Sequence, residues 1–169
     1  IYIDIMHTKN QAEFAELFFS RVIAAMDSNA QTALRKATQF FKGIRPTMSF
    51  DEFNGSPSFS INIQPSQEQS TIEQTFNYLA KSDKRCYIAF DEFQQIMEYP
   101  EKGTEALLRS MIQFVPNAWF IFSGSRQHLM TEMFLSERHP FYLASQMMSL
   151  NTIDEKKYLA FANRFFKDQ

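Results

Sequence analysis

Two short segments limit what this chain can fold into. Cys86-Tyr87-Ile88-Ala89-Phe90 and Ala118-Trp119-Phe120-Ile121-Phe122 are apolar or aromatic at every position. A strand wetted on one face alternates polar and apolar residues. A short continuous apolar run suits a strand buried on both faces of a parallel sheet. Between the two runs, Leu107, Leu108, Met111 and Ile112 recur at helical spacing, and Pro116 closes the segment, so a helix is expected over about 102–114. Strand, crossover helix and strand form a right-handed parallel unit, whose strand ends can be neighbours. Each run stops abruptly, the first at Asp91-Glu92 and the second at Ser123-Gly124-Ser125.

The rest of the chain extends this alternation. Ile1 to Met6 alternates, is β-branched and aromatic, and reads as a strand from its first residue. A chain opening directly on a strand, without methionine, leads one to expect residues upstream of Ile1. Thr8-Lys9-Asn10-Gln11 has the capping-box form. It opens a helix whose apolar face is Phe14, Leu17, Phe18, Val22, Ala25 and Met26. A second helix is expected over about 30–41. Residues 45–69 hold Pro46, Pro57, Pro65 and Gly55 and read as loop, with one strand candidate at 58–63. Ser70-Thr71-Ile72-Glu73 is a second capping box, opening a helix with Ile72, Phe76 and Leu79 on one face. Further expectations are a helix over 126–134, a strand over 146–150, and a last helix capped by Asp154 and running to Phe166. The implied fold class is α/β: one domain over 1–169, in three layers, with a mainly parallel sheet between helices. The nineteen phenylalanines predict an aromatic core, with the pairs Phe18-Phe19, Phe40-Phe41 and Phe165-Phe166 as core residues and half-buried flanks. The last pair is also a candidate joint to a downstream lid.

Composition narrows the function. Gly43, Gly55, Gly103 and Gly124 are the four glycines of 169 residues and stand far apart, so the chain contains no glycine-rich phosphate loop. The net charge is −2 with no block of five like charges, which gives no footprint for nucleic acid or an anionic membrane. Cys86 is the single cysteine, so an internal disulfide and a multi-cysteine metal site are excluded, and a reducing, cytoplasmic location is expected. No apolar run reaches the ~18 residues of a membrane span. Asp4, His7 and Lys9 interrupt the amino-terminal apolar residues, so no signal peptide is visible.

The candidate chemistry lies where the two apolar runs end, the end at which open α/β sheets bind ligands. A hydrophobic strand ending in Asp-Glu is the arrangement of a nucleoside triphosphate hydrolase. There the first carboxylate, here Asp91, holds Mg²⁺ through water, and the second, here Glu92, orients the attacking water. The plainer reading is that two acidic residues close a strand. Ser123 can bring a hydroxyl to the same place, and Arg126 can add positive charge toward a γ-phosphate. The plainer reading there is a tight turn and a helix cap. His7, His128 and His139 read as solvated loop histidines, having no partners at metal-ligand spacing. Arg138 reads as a surface arginine, with an arginine finger as the alternative.

Phe90-Asp91-Glu92-Phe93-Gln94-Gln95-Ile96, Leu107-Leu108-Arg109-Ser110, Phe120-Ile121-Phe122-Ser123-Gly124-Ser125, Met133-Phe134 and Pro140-Phe141-Tyr142 together resemble the archaeal-type ATPase family. This is an AAA-like, STAND-type branch of the P-loop NTPases, found in archaea and in bacteria, including Bacteroides-like bacteria. The resemblance implies that Asp91 and Glu92 match the Walker B pair and that Ser123 matches the sensor-1 position. It also implies ATP and Mg²⁺ as cofactors, and the start of a helical lid over 153–169. The strand at Ile1 matches the one following the P-loop helix. The Walker A segment and its strand have no counterpart in this sequence. In the family that strand lies between the sensor-1 strand and the last strand, here 146–150. The resemblance therefore implies an incomplete core, inactive as this chain alone, that binds nucleotide once complete; a protein partner or self-association is compatible with it.

Two other function classes compete with this one. The first is a non-catalytic protein-interaction module with a degenerate P-loop fold. The second is a metal nuclease using Asp91 and Glu92, against which the acidic charge balance and the lack of a nearby lysine count.

Overall fold

The parallel strand pair predicted from the two apolar runs forms, and it gains a third member. The computed structural model describes residues 1–27, 29–43, 45–51, 55–64 and 66–166. Strand β1 (Tyr2–Asp4), β4 (Cys86–Asp91) and β5 (Ala118–Phe122) make a parallel sheet in the order β1-β4-β5. Central β4 pairs Ala89 with Tyr2 and Asp91 with Asp4 on one side, and Phe90 with Phe122 on the other. Helix α1 (Gln11–Met26) follows β1, and α2 (Ala30–Phe40) follows α1. Helix α3 (Glu68–Ala80) leads into β4, and α4 (Thr104–Ile112) crosses from β4 to β5. Helix α5 (Gln127–Leu135) and the amphipathic α6 (Glu155–Phe166) end the described chain.

The strand expected over 58–63 forms as β3 (Pro57–Ile61), and it pairs antiparallel with an unforeseen strand, β2 (Pro46–Phe50), in the stretch read as loop. Both strands begin with proline, a position where the missing N–H costs the ladder least. Proline content therefore hid a strand here. The hairpin covers a second cluster of Phe19, Ile23, Ala33, Ala37, Phe41, Phe59 and Ile61. Phe19 is thus wholly buried alongside Phe18, each serving a different cluster.

The helix starts also differ from the capping boxes read in sequence. The cap of α1 is Asn10, whose side chain accepts from Glu13 N, while Glu13 accepts from Lys9 N at 2.9 Å. The reciprocal bonds form two residues later than expected. Thr8 instead is buried, donates to the Ile5 carbonyl at 2.6 Å and meets the Tyr99 hydroxyl at 2.5 Å. Helix α3 begins at Glu68, ahead of Ser70, and Thr71 sits inside it, bonded to the Gln67 carbonyl. Asp154 does cap α6, accepting from Lys157 N.

The expected strand over 146–150 is not formed. Met148 and Leu150 are exposed, and no described strand lies beyond β5 to pair with that segment. An extended segment with no neighbour has no partner for its backbone groups except water. Nor do helices cover both faces of the sheet among the described residues. Ile3, Ile88 and Phe90 are buried on one face, whereas Tyr2, Tyr87, Trp119 and Ile121 are 61%, 64%, 45% and 54% exposed on the other. Tyr87 and Trp119 stack on that open face with centroids 5.3 Å apart. The two continuous apolar runs therefore alternate in burial after all, because helices pack on one side only. Phe165 and Phe166 are also exposed, not half-buried. Among the described residues no helix is long and apolar enough to cross a membrane.

Candidate functional site

A knot of aromatic rings sets the height of the site. Phe93, at the start of a 3₁₀ helix (Phe93–Glu98), lies 4.4 Å centroid to centroid from Phe122 and meets Phe141 edge-on at 5.4 Å. Phe90, Phe134 and Phe141 complete the knot. These rings, buried except for the partly buried Phe122, hold the carboxyl ends of β4 and β5 side by side. The backbone then locks them: Ser123 N donates to the Phe90 carbonyl, and Phe93 N donates to the Ser123 carbonyl, both at 2.9 Å. Between those two bonds the chain must turn sharply, and Glu92 does so in the left-handed region, with φ 56° and ψ 39°. A left-handed residue other than glycine is uncommon and concentrates at functional turns.

On this frame the two carboxylates are each gripped by a different serine of one turn. Ser123 Oγ donates to Asp91 Oδ1 at 2.7 Å, and Ser125 Oγ donates to Glu92 Oε2 at 2.8 Å. Asp91 also accepts from the Tyr2 hydroxyl on Oδ2 at 2.5 Å and from Glu92 N at 3.1 Å. Glu92 also accepts from Gln94 Nε2 on Oε2. Hydrogen bonds to an ionised carboxylate favour the charged form. The Tyr2 hydroxyl first, then the Ser123 hydroxyl, hold Asp91 below the ordinary aspartate range. The Gln94 amide first, then Ser125, hold Glu92 below the ordinary glutamate range. The same bond to Asp91 pushes the Tyr2 phenol up to about 12. Both carboxylates are thus anions at neutral pH. Such groups accept hydrogen bonds from water or balance a cation, and they are poor proton donors.

Asp91, Glu92 and Ser123, the three residues singled out in sequence at the strand ends, are therefore in mutual contact or adjacent. Arg126 is elsewhere: its guanidinium pairs with Glu98 at 3.0 Å, both side chains half exposed. Arg138 is exposed and carries no ion pair among the described residues. His7 and His128 are exposed, as expected. His139 is not a solvated loop histidine: its Nδ1 lies 2.9 Å from Glu105, and its Nε2 lies 3.6 Å from Glu132. The Glu105 bond raises its pKa above the ordinary histidine value. Tyr2 and Gln94 were not singled out as site residues in sequence. Tyr2 carried one weak signal, an outward position on the strand beside β4. Gln94 carried another, standing two residues after Glu92 in a polar pair following Phe93.

The residues present suit a hard cation held partly by water. The donors are carboxylate and hydroxyl oxygens, the type Mg²⁺ prefers. Among the described residues no three carboxylate, imidazole or thiol groups converge. Asp91 would therefore supply one ligand position or a water-mediated contact, with water and substrate oxygens supplying the others. Two surface concavities, one beside Phe40 and Tyr78 and one beside Phe76 and Phe114, include neither Asp91 nor Glu92 in their linings.

No protein-family model matches the chain, and no curated protein matches it. Among solved structures, a Walker-type ATPase of Pyrococcus abyssi is similar over 99% of this chain, with 16% identity and a TM-score of 0.47. The chain spans about half, 46%, of that protein's length.

Proposed function

We propose that this chain carries the water-orienting and cation-facing half of an AAA-like, STAND-type ATPase core, with Asp91 and Glu92 as its Walker B pair and Ser123 at the sensor-1 position. The observation that carries the reading is the Ser123 hydroxyl seated on the Asp91 carboxylate at 2.7 Å, at the carboxyl ends of adjacent parallel strands. In this reading ATP and Mg²⁺ are the cofactors of the complete core, and Mg²⁺ would neutralise charge on the transferring phosphoryl group. Asp91, ionised and pointing from the strand end, would hold the cation through water. Glu92, also ionised, accepts a hydrogen bond from the attacking water and so fixes its direction. Ser123 links the two strands and reports on the group bound at Asp91. Arg126 and Arg138 are the available cations for the γ-phosphate, and Arg126 would have to leave Glu98 to serve. The phosphate-holding Walker A segment is absent from this sequence, so the reading applies to a core completed by further chain, and α6 is the start of a helical lid. The location is cytoplasmic in this reading.

The test is ATP hydrolysis by the natural full-length protein with Mg²⁺. Glu92→Gln is expected to abolish turnover while leaving ATP binding intact, since the amide keeps the shape and loses the charge. Turnover by Glu92→Gln at the parent rate overturns the assignment of Glu92.

The second reading, a non-catalytic interaction module, is favoured by the uncovered sheet face of Tyr2, Tyr87, Trp119 and Ile121. It predicts that the natural protein has no Gly-Lys-Ser/Thr segment upstream of Ile1 and that it shows no nucleotide binding by calorimetry.

A further inference from the structure

Gln94 is almost fully buried, at 3% exposure. Glutamine seldom occupies such a position without a hydrogen-bonding reason. Its Nε2 donates to Glu92 Oε2, while its Oε1 is buried and has no partner. The reversed amide would set a carbonyl oxygen against the carboxylate, so the donation to Glu92 fixes which way the amide points. The orphaned oxygen is the consequence, and an apolar residue of equal size would fill the space without it. Packing therefore does not explain the glutamine, whereas holding Glu92 does.

The surrounding turn is shaped around the same amide. Gly124 stands between the two gripping serines, and a Cβ there would lie 2.1 Å from Gln94 Oε1 and 2.7 Å from Met130 Sδ. Ser125 brings a second donor to the same oxygen, Glu92 Oε2, from the turn after the neighbouring strand β5. Two donors on one carboxylate oxygen, from two segments, fix the rotamer of a side chain whose own backbone is in the left-handed region. Nothing comparable is needed if Glu92 only ends a strand.

We infer that Gln94, seconded by Ser125, is a positioning residue that clamps the Glu92 carboxylate in the orientation from which it addresses water. The inference rests on the hydrolase reading above, but the clamp itself can be checked separately. Gln94 does not touch substrate in this scheme and acts only through Glu92. Losing an orienting bond to a charged group should slow turnover by about 10- to 100-fold, with little effect on nucleotide affinity.

The experiment has two arms. In the natural full-length protein, the side-chain amide of Gln94 is followed by ¹H–¹⁵N NMR and assigned by its loss in Gln94→Met. Its signals are expected to be slow to exchange and to move strongly in Glu92→Ala. If they do not move, the clamp is overturned, whatever the enzyme does. In the full-length protein, Gln94→Met keeps the volume and removes the donor, and Gln94→Glu keeps the shape and adds a like charge. Both are expected to lower kcat by about 10- to 100-fold while KM for ATP stays within about twofold, and Gln94→Met should not lower the melting temperature. A parent-like kcat in Gln94→Met overturns the positioning role and leaves the hydrolase reading standing. A parent protein that hydrolyses no ATP overturns the hydrolase reading and this inference with it, even where the NMR coupling is seen.

Discussion

Gly124→Ala is the smallest change that probes the packing at the centre of the site. The added Cβ would fall 2.1 Å from Gln94 Oε1, 2.7 Å from Met130 Sδ and 2.9 Å from Met130 Cγ. Non-bonded heavy atoms rest at about 3.5 Å or more, so the closest contact is more than ~1 Å too short. Met130 can yield, because its thioether is unbranched and flexible. Gln94 yields only by giving up its bond to Glu92, since it is buried and its amide is held there. Overpacking of this kind costs about 1–3 kcal/mol. In a domain of this size each kcal/mol lowers the melting temperature by about 2–4 °C, so a fall of roughly 2–12 °C is expected by calorimetry. The decisive measurement is a double-mutant cycle with Gln94→Ala. Removing the amide first should make Gly124→Ala cheaper by about 1 kcal/mol, because residues in contact are not additive. If Gly124→Ala costs the same in both backgrounds, Gln94 is free to move aside and the reasoning fails.

Two further perturbations follow from the hydrogen bonds. Glu105 and Glu132 hold the His139 pKa above its ordinary value, so the contribution of His139 to stability is fully present below pH ~6.5 and fades as pH rises through the folded value. Melting temperatures from pH 6 to 8.5 should therefore fall more steeply for the parent than for His139→Gln, and parallel slopes would exclude the pairing. Tyr2, with its phenol pushed up to about 12 by the bond to Asp91, should titrate late when phenolate absorbance is followed; Asp91→Asn should bring it back toward ~10, and no change would exclude the bond.

The centre of the sheet was legible because it depends on composition alone. Runs as short and as apolar as Cys86–Phe90 and Ala118–Phe122, rich in β-branched or aromatic residues, read as strands with at least one buried face. What followed them, Asp91-Glu92 and Ser123, was legible because strand ends in a parallel pair lie together. Burial was not legible: a strand's sequence says that both faces are apolar, not what covers each. Tyr87, Trp119 and Ile121 are exposed because no described element packs on them. Strand β3 was legible as the candidate at 58–63, but its partner β2 was hidden in a proline-rich stretch, and the helix starts shifted because Thr8 found Tyr99, 91 positions away, as partner. Tertiary partners of this kind overrule a local capping signal.

The same contrast separates the residues of the candidate site that sequence could bring together from those it could not. Asp91, Glu92 and Ser123 are visible because their chemistry and their place on a strand agree. Tyr2 and Gln94 reach the strand-end carboxylates by hydrogen bonds, Tyr2 to Asp91 and Gln94 to Glu92. Tyr2 comes from the neighbouring strand β1, outside the motif altogether, and reaches Asp91 only because parallel register sets Asp4 opposite Asp91 and Tyr2 opposite Ala89. Gln94 lies inside the motif, but its burial and its orphaned oxygen are invisible until the 3₁₀ helix is in place. Each carboxylate therefore has one side-chain partner from the Ser123–Ser125 turn and one from elsewhere, so moving that turn disturbs both anions together. Substituting Ser123 or Ser125 alone breaks one grip, whereas Gly124→Ala strains the frame that carries both.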